Sequence, residues 1–183
     1  LPLSLLRSEN CTLIGVTNLR TEYKTNPTGI GVASPRFSWE IQSSGKDIRQ
    51  TAWQIRAAAT EKELKAGKNL LWDTGKVYSD KSIQIPYQGL PLNSRDKVYW
   101  QVRITTNQGQ TAWSKVASLE VGLLSSSDWI ASWIQPDVPE DNSTAPPVPY
   151  MCKEFLLKSH IAKARIYASA QGIYQLKLNG EQV

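Results

Sequence analysis

The chain has 183 residues, 21 Lys and Arg, 16 Asp and Glu, and a formal net charge of +5. That length holds one β-sandwich of roughly 100 residues plus a remainder. A composition of 40% hydrophobic and 20% charged residues excludes global disorder. The single His160 excludes a two-imidazole site, and two cysteines, Cys11 and Cys152, make neither a zinc site nor a disulfide framework. No metal and no cofactor is therefore expected.

The opening Leu1 to Leu6 is apolar but broken by Pro2 and Ser4. It reads as a signal-peptide remnant or as ordinary mature sequence. No apolar stretch approaches the ~18 residues of a membrane span. Residues 1–123 carry 16 basic and 10 acidic side chains, residues 124–150 none and four, residues 151–183 five and two. The cations are dispersed, whereas nucleic-acid binding needs a clustered patch. No nucleic-acid partner is expected.

From residue 12 onward the pattern is strands between turns. Thr12 to Leu19 opens with β-branched and apolar residues. Pro35 to Ile41 alternates, with Phe37, Trp39 and Ile41 on one face. Thr51 to Ala58 places Trp53, Ile55 and Ala57 together, against Gln54 and Arg56. Thr60-Glu61-Lys62-Glu63 is a capping box, and Gly67 a plausible stop, so one short helix follows. Ser82 to Ile85 pairs Ile83 with Ile85; Lys97 to Thr105 aligns Val98, Trp100, Val102 and Ile104 against Tyr99, Gln101 and Arg103. Ala117 to Val121 closes the set with Leu119 and Val121. Alternation of period two gives one buried and one wet face. Turn signals separate the strands: Asn26-Pro27, Ser43-Ser44-Gly45, Gln88-Gly89 and Asn107-Gln108-Gly109.

Residues 124–150 read as a linker holding Trp129 and Trp133 and then a Pro-rich, acidic stretch. Strand patterns resume at Lys153 to Leu157, Ala164 to Ala168 and Ile173 to Leu178. Asn179-Gly180 signals a type I′ hairpin with its return strand missing. Residues 151–183 are thus expected to be the incomplete start of a second β domain. No internal repeat is present. Ile166, Leu176 and Leu178 should then lack cover. Pairing of the segment with a second copy is favoured over packing on the first domain through Trp129 and Trp133, because unpaired strand edges recruit other chains.

The residues carry no recognisable catalytic constellation. Acids such as Glu40, Asp73 and Asp96 fall on outward positions and loops, and read as surface charge. Gly29-Ile30-Gly31 lacks the third glycine of a phosphate loop and precedes Pro35 rather than a helix. Aromatic faces are the best binding candidates. Trp39, Trp53 and Trp100 read as core. Trp72, Trp113, Trp129 and Trp133 are the candidate sugar-contact or domain-contact residues. Asn10-Cys11-Thr12 and Asn142-Ser143-Thr144 fit the glycosylation sequon, a weak signal. Cys11 and Cys152 flank the whole first domain and are expected to be unbridged.

Several stretches in order resemble one family. Val16-Thr17-Asn18-Leu19-Arg20-Thr21-Glu22-Tyr23, Asn26-Pro27-Thr28-Gly29-Ile30 and Pro35-Arg36-Phe37-Ser38-Trp39 resemble the opening of bacterial inverting α-L-rhamnosidases. So do Trp53-Gln54-Ile55, Leu71-Trp72-Asp73-Thr74-Gly75-Lys76-Val77, Tyr99-Trp100-Gln101-Val102-Arg103 and Trp129-Ile130-Ala131-Ser132-Trp133-Ile134. Ala164-Arg165-Ile166-Tyr167 and Gly172-Ile173-Tyr174-Gln175-Leu176-Lys177-Leu178-Asn179-Gly180 resemble the start of their next domain. The resemblance implies an all-β chain: a fibronectin-III or immunoglobulin-like antiparallel sandwich at 12–123, then a truncated second β-sandwich segment. It implies a non-catalytic accessory region of a secreted, periplasmic or cell-surface enzyme that releases terminal α-L-rhamnose from plant-type glycans. Catalysis in such enzymes belongs to an (α/α)₆ barrel, where one acid protonates the leaving oxygen and another activates water. No catalytic residue carries over to this chain. The implied partners are that catalytic domain and glycans. The alternatives are a free-standing adhesion module and a carbohydrate-binding module. One departure stands out: the fibronectin-III tyrosine corner, counted from Leu92, falls on Val98, with Tyr99 one step beyond.

Overall fold

The computed structural model describes residues 13–137, 143, 148–157 and 160–183. The chain divides into two compact units, Leu1–Ala131 and Ser132–Val183. Two expectations, the reading of Leu1 to Leu6 and the sequon at Asn10, lie outside the described residues, as do Asn142 and Thr144 of the second sequon.

The first unit is an antiparallel β-sandwich. Its smaller sheet has three strands in the order β1 (Ile14–Thr21), β2 (Arg36–Ser43) and β5 (Ile85–Pro86). The larger sheet runs β4 (Leu70–Asp73), β3 (Gln50–Ala58) and β6 (Lys97–Thr106). Two short strands, β7 (Gly109–Gln110) and β8 (Ala117–Glu120), pair with opposite ends of β6 as a broken edge. The sheets are tied where the β1–β2 connection reaches β8: Ile30 N donates to Glu120 O at 2.9 Å and Gly122 N to Ile30 O at 2.8 Å.

Alternation fixes which residues meet between the sheets. On β6, Val98, Trp100, Val102 and Ile104 are all fully buried. Facing them from β2, Phe37 packs on Trp100 at 4.5 Å between ring centroids. Trp39 meets Trp53 at 5.7 Å. Trp39 Nε1 also donates to Gln50 Oε1 at 3.0 Å, and Gln50 Nε2 donates to Lys81 O at 2.9 Å and Ser79 O at 3.2 Å. That buried amide is fully bonded, which removes the cost of enclosing it.

The expected helix forms as α1 (Glu61–Ala66). Thr60 accepts from Glu63 N at 3.2 Å, and Gly67 ends the helix in the left-handed region at φ 63°. Leu64 is fully buried, and α1 packs against β3 and β6.

Two local expectations are corrected, and the corner is tied in another way. Ile83 does not join Ile85 in the core: Gln84 takes φ 55°, which breaks the alternation, so Ile83 is 66% exposed while Ile85 is buried. β4 forms where the alternation predicts no strand, because Leu70-Leu71-Trp72 is a continuous apolar run rather than an alternating one. A substitute exists for the missing tyrosine corner: Tyr87 donates its hydroxyl to Leu90 O at 2.9 Å. Val98 stays wholly in the core.

In the second unit the hairpin has its return strand. β9 (Lys177–Leu178) pairs with β10 (Glu181–Gln182), and Val183 N donates to Leu176 O at 3.1 Å. Asn179 and Gly180 turn it with φ 50° and 86°, the positive values a type I′ turn needs. The expected strands at Lys153 to Leu157 and Ala164 to Ala168 are not formed among the described residues. A strand persists only where a neighbour takes its backbone groups, and among the described residues none pairs with them. Cys152 is exposed and free; Cys11 lies outside the described residues.

Candidate functional site

The four candidate tryptophans are in different environments. Trp72, on β4, is half-buried against the core, 5.9 Å from Phe37 and 5.2 Å from Tyr87. Trp129 follows a 3₁₀ turn at Ser126–Asp128 and is 41% exposed. Trp133, in the second unit, is 69% exposed. Only Trp113 joins a cluster of polar side chains.

That cluster lies on the outer face of the larger sheet. β3 and β6 pair Gln54 with Arg103 and Arg56 with Gln101, so these four project away from the core. Asp73 stands opposite Arg56 on β4. Its carboxylate accepts from Gln54 Nε2 at 2.6 Å, Arg56 Nε at 2.8 Å and Gly75 N at 3.0 Å. Gln54 Oε1 in turn accepts from Arg103 Nε at 3.0 Å and from Arg103 Nη2 at 2.7 Å. Trp113 covers this network, with the Arg56 guanidinium 4.8 Å and the Arg103 guanidinium 4.6 Å from its ring centroid. Partial burial pushes the Asp73 carboxyl up, but the bonds from Gln54, Gly75 and Arg56 outweigh it and hold the group below its ordinary value.

Beside Trp113 the same face opens into a shallow groove of about 510 Å³. Tyr99 and Gln101 of β6 form its floor, Glu61 and Lys65 of α1 one wall, and the Ser114–Ser118 stretch the other. Glu61 and Lys65 pair at 2.5 Å. Sequence alternation placed Tyr99 and Gln101 on the wet face and so missed them. The available signal was the capping box at Thr60, which starts a helix next to β3 and so brings it over the outer face of β6.

The remaining carboxylates hold the fold. Glu22 takes Arg36 Nε at 3.1 Å, a terminal nitrogen at 2.6 Å and Arg36 N at 2.8 Å, and these bonds keep its carboxyl below the ordinary range. Lys97 pairs with Glu120 at 3.3 Å. Asp128 accepts from Ser94 Oγ and from Ser125 N, which caps the turn before Trp129. Glu40 accepts from Asn18 Nδ2. His160 is exposed. No group of three or more His, Cys, Asp or Glu able to hold a metal exists among the described residues. No helix there is long and apolar enough to cross a membrane.

Comparison with known proteins agrees with this architecture. Residues 16–125 match the family model of the Rha78A-like, N-terminal immunoglobulin domain. The chain is 39% identical over 86% of its length to an alpha-L-rhamnosidase of Formosa agariphila, and 35% identical over 86% to one of Alteromonas sp.. It spans 18% of the length of each of these relatives. A crystal structure of the Streptomyces avermitilis alpha-L-rhamnosidase complexed with L-rhamnose superposes with a TM-score of 0.64 at 38% identity, over 67% of this chain and 12% of that one. The alpha-L-rhamnosidase of Dictyoglomus thermophilum gives 0.63 at 31% identity, over 66% and 14%. With its two-sheet core, its strand order and a match across most of the first unit, the chain belongs to the Rha78A-like N-terminal immunoglobulin domain family found in alpha-L-rhamnosidases.

Proposed function

We propose that this chain is a non-catalytic accessory region of a secreted alpha-L-rhamnosidase, with hydrolysis of terminal α-L-rhamnose carried out by a catalytic domain elsewhere in the parent protein. What supports the reading is a likeness that runs through both units yet covers 18% of the relatives' length. The side chains agree with it. Inverting glycoside hydrolysis needs an acid and a base carboxyl facing each other across a substrate. Here Glu22, Asp73, Glu120 and Asp128 are each held by fold-forming partners. The domain plan that goes with the proposal is a sandwich over 12–123, a linker over 124–150 and the start of a second β-sandwich over 151–183. The proposed location is periplasmic or extracellular, and the proposed substrates of the parent are plant-type glycans.

Two measurements test it. The chain should not hydrolyse aryl α-L-rhamnosides; turnover that survives repurification and is lost on mutating one of its own acids would overturn the reading. Grafted in place of the matching region of the Formosa agariphila relative, it should restore the thermal stability lost when that region is deleted. In isolation, Ile166 at 47% and Leu178 at 42% exposure favour pairing between copies, read by light scattering at several concentrations.

A further inference from the structure

Gln50, Gln54 and Gln101 are all buried on the larger sheet. Gln50 bonds Trp39 and two carbonyls, and Gln54 bonds Asp73 and Arg103. Gln101 differs. It is 6% exposed, yet its amide has no hydrogen-bond partner among the described residues. Nor is that amide sealed in: the enclosed orphan atoms among the described residues are Thr21 Oγ1, Trp53 Nε1 and Trp100 Nε1. It opens on the groove beside Trp113. An amide that reaches solvent only through the groove is free to exchange that contact for a ligand supplying both a donor and an acceptor.

We infer that this groove is a contact site for a neutral, hydroxyl-rich ligand, a carbohydrate chain, with Gln101 as its hydrogen-bonding floor. The amide presents an acceptor and a donor side by side, which matches adjacent hydroxyls on a sugar ring. Ser118 and Tyr99, cross-strand neighbours, add hydroxyls, and Tyr99 adds an aromatic ring. Glu61 neutralises Lys65, and Lys97, whose ammonium stands 5.1 Å from the centre of the Tyr99 ring, pairs with Glu120, so Lys115 is the uncompensated cation of the lining and the site does not select a strong anion. A peptide fits less well. β6 is paired by β3 on one side and by β8 on the other, and the outer amides of β8 are taken by Asn26 Oδ1 (from Ser118 N, 2.9 Å) and Pro27 O (from Glu120 N, 2.9 Å), so these outer amides are not offered for backbone pairing. Val116 and Ala117 are the groove's apolar lining, too small to anchor a side chain.

The inference rests on the accessory-region reading for its choice of sugar. Backbone-amide NMR of the 183-residue chain, titrated with methyl α-L-rhamnoside and separately with sucrose, tests it. Saturable shifts confined to Tyr99, Gln101, Ser114 to Ser118 and α1 are expected with at least one sugar. Gln101→Leu should weaken that affinity about tenfold, the effect of one lost hydrogen bond. Ser118→Ala should weaken it severalfold and stands in if Gln101→Leu fails to fold. Three results would overturn the inference: no saturation at the groove with either sugar, unchanged affinity in the variants, or shifts with a mixed-sequence decapeptide and none with sugar. Any of them leaves the accessory role standing, because the graft measures that separately.

Discussion

Gly89 sits where three parts of the first unit converge, and replacing it with alanine probes that point directly. Its φ is not in the left-handed region, so the substitution adds a contact without changing backbone preference. A Cβ there would stand 2.5 Å from Leu71 O, 2.5 Å from the Tyr87 hydroxyl and 2.6 Å from Trp72 Cβ. Ordinary contact begins near 3.4 Å, and two of the three atoms move only if β4 moves. Such overpacking costs about 1–3 kcal/mol. Displacing β4 also breaks the Leu90 N to Leu71 O bond of 2.9 Å, and displacing the hydroxyl breaks the Tyr87 to Leu90 bond of 2.9 Å. At about 1 kcal/mol each, these bring the expected loss to about 3–5 kcal/mol. Thermal unfolding followed by tryptophan fluorescence should show a midpoint lowered by about 12 °C or more. Gly75→Ala is the control: φ is 59° there but no atom lies within 4 Å, so only the backbone cost of about 1–2 kcal/mol applies. A Gly89→Ala protein within about 0.5 kcal/mol of the parent would refute the close approach.

Trp100→Ala should destabilise the first unit by about 3–5 kcal/mol, as large aromatic truncations do; Trp100→Phe should cost less, because it keeps most of the buried aromatic volume and the indole N–H it removes has no partner among the described residues. Denaturant titration of both variants checks the order, and a Phe variant as costly as the Ala variant would refute the volume argument. Tyr87 predicts a loss of stability in alkali. Burial, aided by the Asp96 charge, pushes its hydroxyl up to about 12. An unfolded tyrosine ionises near 10. Below that pH both states hold the proton and the contribution is intact; above it the unfolded chain releases the proton first, so stability falls as the pH rises towards 12. Tyr87→Phe should flatten this alkaline decline, and an unchanged decline would place its cause elsewhere.

The sandwich was legible wherever one face of a strand meets the core and the other meets water. Val98, Trp100, Val102 and Ile104 alternate with polar residues and are all buried, as the period of two requires. The pattern failed where the chain left that geometry. Gln84 turns left-handed and sends Ile83 outward, and nothing in Ser82-Ile83-Gln84-Ile85 marks a residue other than glycine or asparagine for that role. β4 carries three half-buried apolar residues in a row, so it has no alternation to detect. In the second unit the hairpin formed because Asn179-Gly180 encodes its own turn locally. The stretches from Lys153 and Ala164 encode only a preference, and a preference becomes a strand only beside a partner.

The same distinction explains why the candidate site was hidden. Polar residues at alternate positions signal which side of a sheet faces away from the core, but not whether that side stays wet. Gln54, Arg56, Gln101 and Arg103 occupy equivalent outward positions on two adjacent strands. Gln54 and Gln101 are nevertheless buried, while Arg56 and Arg103 are half-buried. α1 and Trp113 account for the difference. The helix is held over β3 and β6 by Leu64, and the indole lies across both guanidiniums. Enclosure turns an ordinary surface position into one where every donor and acceptor needs a partner. Gln54 finds its partners in Asp73 and Arg103, both on its own sheet. Gln101 faces the groove instead, where no side chain among the described residues answers it. An unanswered amide is therefore the mark that separates a binding floor from a structural glutamine, and it emerges only once the helix and the indole are in place.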